Sequence, residues 1–253
     1  MSSFIQQTIS ALFPRRCPVC GHFTDTSTPQ LCQECAQKLE EEYSRLCPVC
    51  RRDVHSCTCV SADLPLICCG FYEPGNTSAI TSRLIYALKH NADDSAAHVL
   101  ARDLSRLILQ RFLAEGEDIR TWTFTYAPRS PEGYEKNGFD QARRLAKLCA
   151  RYTGARYDRI FRRQGGDAQK RLSAAERETN ASVSIRLRHP QRNHTGKYVV
   201  VDDILTTGAT LCECADLLRS RGANAVWIAA PLRTLPRSFQ NEPWFARVGK
   251  YNQ

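Results

Sequence analysis

A run of β-branched residues ending on two adjacent carboxylates constrains this chain more than any other stretch. Residues 199–210 read Val-Val-Val-Asp-Asp-Ile-Leu-Thr-Thr-Gly-Ala-Thr. Continuous apolar residues of this kind suit a strand buried on both faces, as in a parallel sheet. The carboxyl end of such a strand delivers Asp202 and Asp203 into a crevice. The turn Thr206, Thr207, Gly208, Ala209, Thr210 then leads into an apolar-periodic segment, read as a helix over 209–221 closed by Gly222. Unpaired N–H groups at a helix start favour anions. Gly208 lets the backbone approach a phosphate with no Cβ in the way. Paired acids beside an anion cradle suit a ligand that carries hydroxyls and phosphate together, such as a sugar phosphate.

The rest of the chain reads as an α/β protein. Apolar periodicity predicts helices over 77–90, 95–114 and 139–152, with a short helix within 1–13 and a helical piece at Leu39–Tyr43. Strands are predicted at 66–73, 121–127, 156–161, 198–203 and 225–230, and 183–187 is compatible with another. Residues 164–181 are polar, contain Gly165-Gly166 and read as a mobile loop. Strands alternating with helices after residue 120 imply a parallel sheet with right-handed crossovers. The predicted crevice gathers Pro128–Lys136, residues 164–181 and the stretch from Asp202 to Thr210.

Thirteen cysteines demand an account, and eight fall within residues 17–59 as close pairs. Without a secretory signal, such pairs read as metal ligands rather than disulfides. Cys17-x₂-Cys20-x₁₁-Cys32-x₂-Cys35 has the spacing of a closed, structural Cys₄ zinc site. The second set, Cys47, Cys50, Cys57 and Cys59, is a weaker signal because its last pair is C-x-C; it reads as a second zinc site or a partly degenerate one. Spacing alone leaves open a cross-brace joining Cys17/Cys20 to Cys47/Cys50. The expected organisation is a zinc module over 1–62 and a second domain over 63–253. Within that domain, 63–120 form a hood and leading helices, and 121–235 form the core sheet.

The net charge of +9 is localised. Residues 121–192 hold 16 Lys/Arg against 7 Asp/Glu, an excess that equals the whole-chain value. A basic segment of this kind points to an anionic partner, polyphosphate or nucleic acid. No segment approaches the ~20 apolar residues needed to span a bilayer. The stripe at 4–13 lacks a basic leader and a cleavage site, so a cytoplasmic protein with no membrane partner is expected.

Val199–Thr210 resembles the diphosphoribosyl-diphosphate (PRPP) signature of type I phosphoribosyltransferases: four apolar residues, two acids, two variable positions, then Thr-Thr/Gly-Gly-x-Thr. Almost the whole chain resembles the ComF family, in which a cysteine-rich zinc finger precedes a phosphoribosyltransferase domain. Phe13-Pro14 before Cys-Pro-Val-Cys, Leu88–Asp93, Pro128-Arg129, Asn137-Gly138-Phe139-Asp140-Gln141, and Gln169, Leu172-Ser173, Arg177 and Asn180 carry that likeness. Asn137 and Asp140 stand where the family has Arg and Asn. Glu132 and Glu135 further reduce the positive charge where pyrophosphate would sit.

The resemblance implies the type I phosphoribosyltransferase fold and a Mg²⁺-dependent transfer from PRPP, or a related ribose phosphate, to an unidentified base. Asp202 and Asp203 would take the ribose hydroxyls, Thr206–Thr210 the 5′-phosphate, and Arg129 and Lys89 the pyrophosphate. The loop with Gln169, Lys170 and Arg177 would close over the reaction. The alternative implied by the family is a non-catalytic module binding single-stranded DNA during natural competence and DNA uptake.

Overall fold

The computed structural model describes residues 15–24, 30–47, 50–57, 64–90, 94–129, 140–163 and 185–234. In chain order these give β1 (Arg15–Arg16), β2 (Phe23–Thr24), α1 (Gln33–Tyr43), β3 (Leu66–Tyr72), α2 (Ile80–His90), α3 (Ser95–Ala114) and β4 (Trp122–Tyr126). Then come α4 (Gln141–Thr153), β5 (Arg156–Tyr157), β6 (Phe161–Arg163), β7 (Ile185–Leu187), β8 (Lys197–Val201), β9 (Ile204–Leu205), α5 (Ala209–Arg219) and β10 (Ala225–Thr234). The predicted helix within 1–13 and the loop 164–181 lie outside the described residues.

The main sheet runs β3-β10-β8-β4-β5, with β9 also against β10, and every pairing is parallel. The sheet is therefore a wholly parallel α/β sheet, with a small cysteine-rich module near the N-terminus. Alternation builds two cores. Phe124 and Tyr126 of β4, Val199 and Val201 of β8 and Trp227 of β10 pack on one face with α2, α3 and α4. Val200, Val226 and Ile228 pack on the other with α5. Val199, Val200 and Val201 are all fully buried, which explains why β8 reads as an unbroken apolar run.

Several boundaries have local causes. The helix expected from 77 begins at Ile80, because the Asn76 carboxamide oxygen accepts hydrogen bonds from Ser78 Oγ (2.7 Å) and Ala79 N (3.2 Å) and holds a turn ahead of it. The strand expected over 156–161 splits in two. Asp158 N still donates to Phe124 O (3.0 Å), but the chain then leaves the sheet and β6 pairs antiparallel with β7. That ribbon turns Phe161, Ile185 and Leu187 onto the α5 face.

The cysteine-rich module shares the main core: Cys17, Val19, Leu31, Cys35 and Leu39 pack with α2 and α3. Glu42 at the end of α1 accepts from Ile80 N (2.7 Å), Thr81 N (2.9 Å) and Thr81 Oγ1 (2.8 Å), so one helix supplies the N-terminal cap of another. Tyr43 donates to Asp103 (3.2 Å) and lies against Gly70, where a Cβ would meet its ring at 2.5 Å. Glu42→Ala is expected to cost about 0.5–2 kcal/mol, the range for losing a helix cap, read as a lower urea midpoint at unchanged slope. An unchanged midpoint would remove this carboxylate from the joint.

Candidate functional site

β4 leads through α4 outward to β5, whereas β8 leads through α5 in the opposite direction to β10. The two helices cover opposite faces, so the sheet order reverses between β4 and β8. In open parallel sheets a ligand crevice forms outside the strand carboxyl ends at such a reversal. The structure has a cavity of about 110 Å³ there, lined among others by Arg129, Asp140, Arg163, Asp202, Asp203 and Thr210.

The acidic turn is held by its own backbone. Asp203 N donates to Asp202 Oδ1 and Ile204 N to Asp203 Oδ1, both at 2.8 Å. Asp202 N donates back to Ala229 O of β10 (3.0 Å), and Ala127 N donates to Val201 O (2.9 Å), which ties the end of β4 to β8. Arg129 reaches across the crevice to Asp203 Oδ2 at 3.2 Å, with both side chains mostly buried. Gly208 is the N-cap of α5 at φ +76°, a left-handed conformation that favours glycine. Gly208 has no side chain to cap this start, and Thr207 Oγ1 accepts from Ala209 N at 3.4 Å. Thr206, Thr207 and Ala209 are exposed around it, and Thr210 is half-buried.

Three carboxylates converge on the cavity. Burial raises the pKa of Asp202 well above the usual carboxylate range, and the charges of Asp203 and Asp140 add to the effect. Burial also raises Asp140, against the pull of the Arg143 backbone N–H (3.0 Å) and of Arg129. Such a group resists ionisation until a cation arrives. Carboxylate oxygens are the ligand type that hard divalent cations take.

The residues expected from the sequence are placed as follows. Asp202, Asp203, Arg129 and Thr210 line one cavity, and Thr206–Ala209 form the turn beside it. Lys89 sits in the last turn of α2 and is not among the residues lining that cavity. Gln169, Lys170, Arg177 and Cys59 lie outside the described residues. Two charged members of the cavity were not singled out as site residues. Asp140 had a signal, since it stands as N-cap before the amphipathic α4. Arg163 had none, because only the departure of β6 from the sheet brings it to the crevice.

The cysteines form two metal-compatible clusters. The sulfurs of Cys17, Cys20, Cys32 and Cys35 lie within 4.8 Å of one another, as do those of Cys47, Cys50 and Cys57. Tetrahedral thiolates around zinc at 2.3 Å stand about 3.8 Å apart, and Cys20–Cys32 and Cys50–Cys57 measure 3.5 and 3.4 Å. The grouping pairs Cys17/Cys20 with Cys32/Cys35, not with Cys47/Cys50 as a cross-brace would. Burial disfavours the Cys17 thiolate, yet N–H groups of Cys20, Cys32 and Val19 bring its pKa down to about 7.

Residues 135–246 match the family described as phosphoribosyl transferase domain. DNA utilization protein YhgH of Salmonella typhimurium is 28% identical over 229 residues, covering 83% of this chain and 99% of that protein. YhgH of Escherichia coli K12 is 28% identical over 228 residues, with the same coverage. A glutamine PRPP amidotransferase from B. subtilis, solved with ADP and GMP, is 15% identical over 64% of this chain and 43% of that one, with a TM-score of 0.38. No helix among the described residues is long and apolar enough to cross a membrane.

Proposed function

We propose that this chain is a ComF-type protein that binds PRPP in the β4–β8 crevice and transfers its phosphoribosyl group to a nitrogenous base. One observation carries the reading: Asp202 and Asp203 line the crevice shortly before a glycine-led helix start. In this reading the two carboxylates accept hydrogen bonds from the ribose hydroxyls, and the turn Thr206–Thr210 holds the 5′-phosphate. Arg129 and Arg163 face the pyrophosphate, and the loop bearing Gln169, Lys170 and Arg177 closes over it to exclude water. Mg²⁺ entering with PRPP would supply positive charge against the pyrophosphate. The four-cysteine cluster, and the second one completed by Cys59, hold structural zinc. Thiol clusters of this kind suit a reducing compartment, the cytoplasm.

Calorimetric titration with PRPP tests the reading. Saturable, Mg²⁺-dependent heat is expected, together with pyrophosphate release in the presence of one member of a panel of bases. No heat at millimolar PRPP would overturn it. A second reading, DNA binding without turnover, is favoured by the basic excess confined to 121–192 and by the words "DNA utilization" in the name of the YhgH relatives. Salt-sensitive binding of an oligonucleotide without pyrophosphate release would support it.

A further inference from the structure

We propose that Glu213 is a positioning residue: by tying the crevice end of the β6–β7 ribbon to α5, it sets Arg163 against the pyrophosphate of PRPP. The inference rests on the PRPP reading above and names the group that fixes one of its cations. Arg163 and Ile185 close the ribbon at its crevice end and stand directly opposite each other. Opposed residues of an antiparallel pair share a face. Here it is the inner face, on which Phe161, Ile185 and Leu187 pack against Leu211, Cys214 and Leu218 of α5. Arg163 lines the crevice cavity with Arg129, Asp202 and Asp203. The far end of the ribbon is fastened within itself: Arg188 N donates to Ile160 O (2.8 Å) and Arg188 Nε to Phe161 O (2.9 Å). The crevice end is fastened to the helix instead, because Ile185 N donates to Glu213 Oε1 at 2.9 Å.

Ile185 is buried, so its N–H needs an acceptor. What gives the bond a second role is where it falls. Thr210 and Glu213 are three residues apart and therefore neighbours on one helix face. Thr210 lines the cavity, and Glu213 stands one turn behind it. Cys214 sits among the same groups: burial raises the pKa of this thiol, the charges of Asp202 and Glu213 add to the rise, and Arg163 opposes it. Helix, ribbon end and acidic turn thus form one packed unit. In the PRPP reading α5 then acts as a ruler. Its first turn holds the 5′-phosphate, and one turn further on Glu213 fixes the strand pair that carries Arg163 toward the pyrophosphate. A guanidinium meets phosphate oxygens in a fixed fork geometry, so its backbone must be held for the contact to form well.

The test is calorimetric titration of PRPP and of ribose 5-phosphate, each with Mg²⁺, into the parent, Glu213→Ala, Glu213→Gln, Arg163→Gln and the Glu213→Ala/Arg163→Gln double variant. Ribose 5-phosphate carries the 5′-phosphate and lacks the pyrophosphate, so its binding reports whether α5 and its first turn survive each substitution. Glu213→Ala and Arg163→Gln are each expected to weaken PRPP on the order of tenfold, the scale of one arginine–phosphate contact, and to leave ribose 5-phosphate unchanged. The double variant should bind PRPP no more weakly than Arg163→Gln, because Glu213 acts through that arginine. Glu213→Gln keeps an oxygen acceptor for Ile185 N and should retain the parent affinity. An equal loss for both ligands in Glu213→Ala would make Glu213 a structural support of α5 and overturn the proposal. So would parent-like PRPP affinity in Glu213→Ala, or losses that simply add in the double variant. Failure of the parent itself to bind PRPP overturns the PRPP reading together with this one.

Discussion

Asp202→Asn combined with Asp203→Asn is expected to weaken PRPP binding at least 100-fold, and Asp202→Asn alone is expected to raise the melting temperature of the ligand-free protein. The first outcome follows from hydrogen bonding. Each carboxylate bond to a ribose hydroxyl is a charge-assisted contact of about 1.5–3 kcal/mol, and the asparagines also remove the charge that draws in the cation. The second follows from Asp202 itself, whose pKa burial and two neighbouring carboxylates raise. Below the ordinary carboxylate value near 4 the group is protonated folded or unfolded, so it contributes no charge penalty. As pH rises toward and through the folded value, the unfolded chain ionises more readily and stability is lost. The gap between the variant and the parent should therefore widen from acid toward neutral pH. PRPP affinity should show the complementary trend, falling as pH drops below the raised value. Asp203 is kept in the stability experiment because its loss would strip Arg129 of its partner at 3.2 Å. Unchanged PRPP heat in the double variant would sink the site. A lower melting temperature for Asp202→Asn would show that burial of this carboxylate is not the source of strain.

Most of the element types were legible because each depends on a local pattern. Val199–Val201 announced a strand buried on both faces, and the 3.6-residue periodicity of 95–114 and 139–152 announced helices that the structure places within two residues. Strand order was not legible, because periodicity says which face is apolar and not which neighbour pairs with it. Hence β3, read only as a strand before the helices, proves to be the far edge of the main sheet, parallel to β10. Similarly, β6 looked continuous with β5 because 156–161 has a single apolar pattern. Its turn away at Asp158–Ile160 comes from pairing with a strand 24 residues further on. That long-range pairing is what brings Arg163 to the crevice and sets Arg162 against Arg186. The acids of the site were legible because their signal is contiguous in the chain. The cations that complete it, Arg129 and Arg163, arrive from two separate segments.

Cys17→Ser with Cys35→Ser is expected to remove one zinc equivalent per chain by elemental analysis and to lower stability by several kcal/mol. Apparent binding energies for structural zinc sites reach about 10–16 kcal/mol, and in a module too small to bury a core of its own that energy is folding energy. The effect should extend beyond the module. Cys17 and Cys35 are buried in the same core as Leu84, Leu100 and Leu104, and α1 starts directly after Cys32. When the cluster no longer anchors that helix, Glu42 ceases to cap α2 and Tyr43 withdraws from Asp103 and Gly70. The melting transition should therefore shift as one cooperative step rather than split into a lost module and an intact domain. Cys149→Ser is the contrasting variant. This thiol is fully buried away from both clusters, burial pushes its pKa up to about 12, and it donates to Ala101 O (3.7 Å). Its replacement should cost stability through packing while leaving the zinc content unchanged. Full zinc content after Cys17→Ser/Cys35→Ser would disprove the four-cysteine site, and an unshifted main transition would disprove its coupling to the sheet.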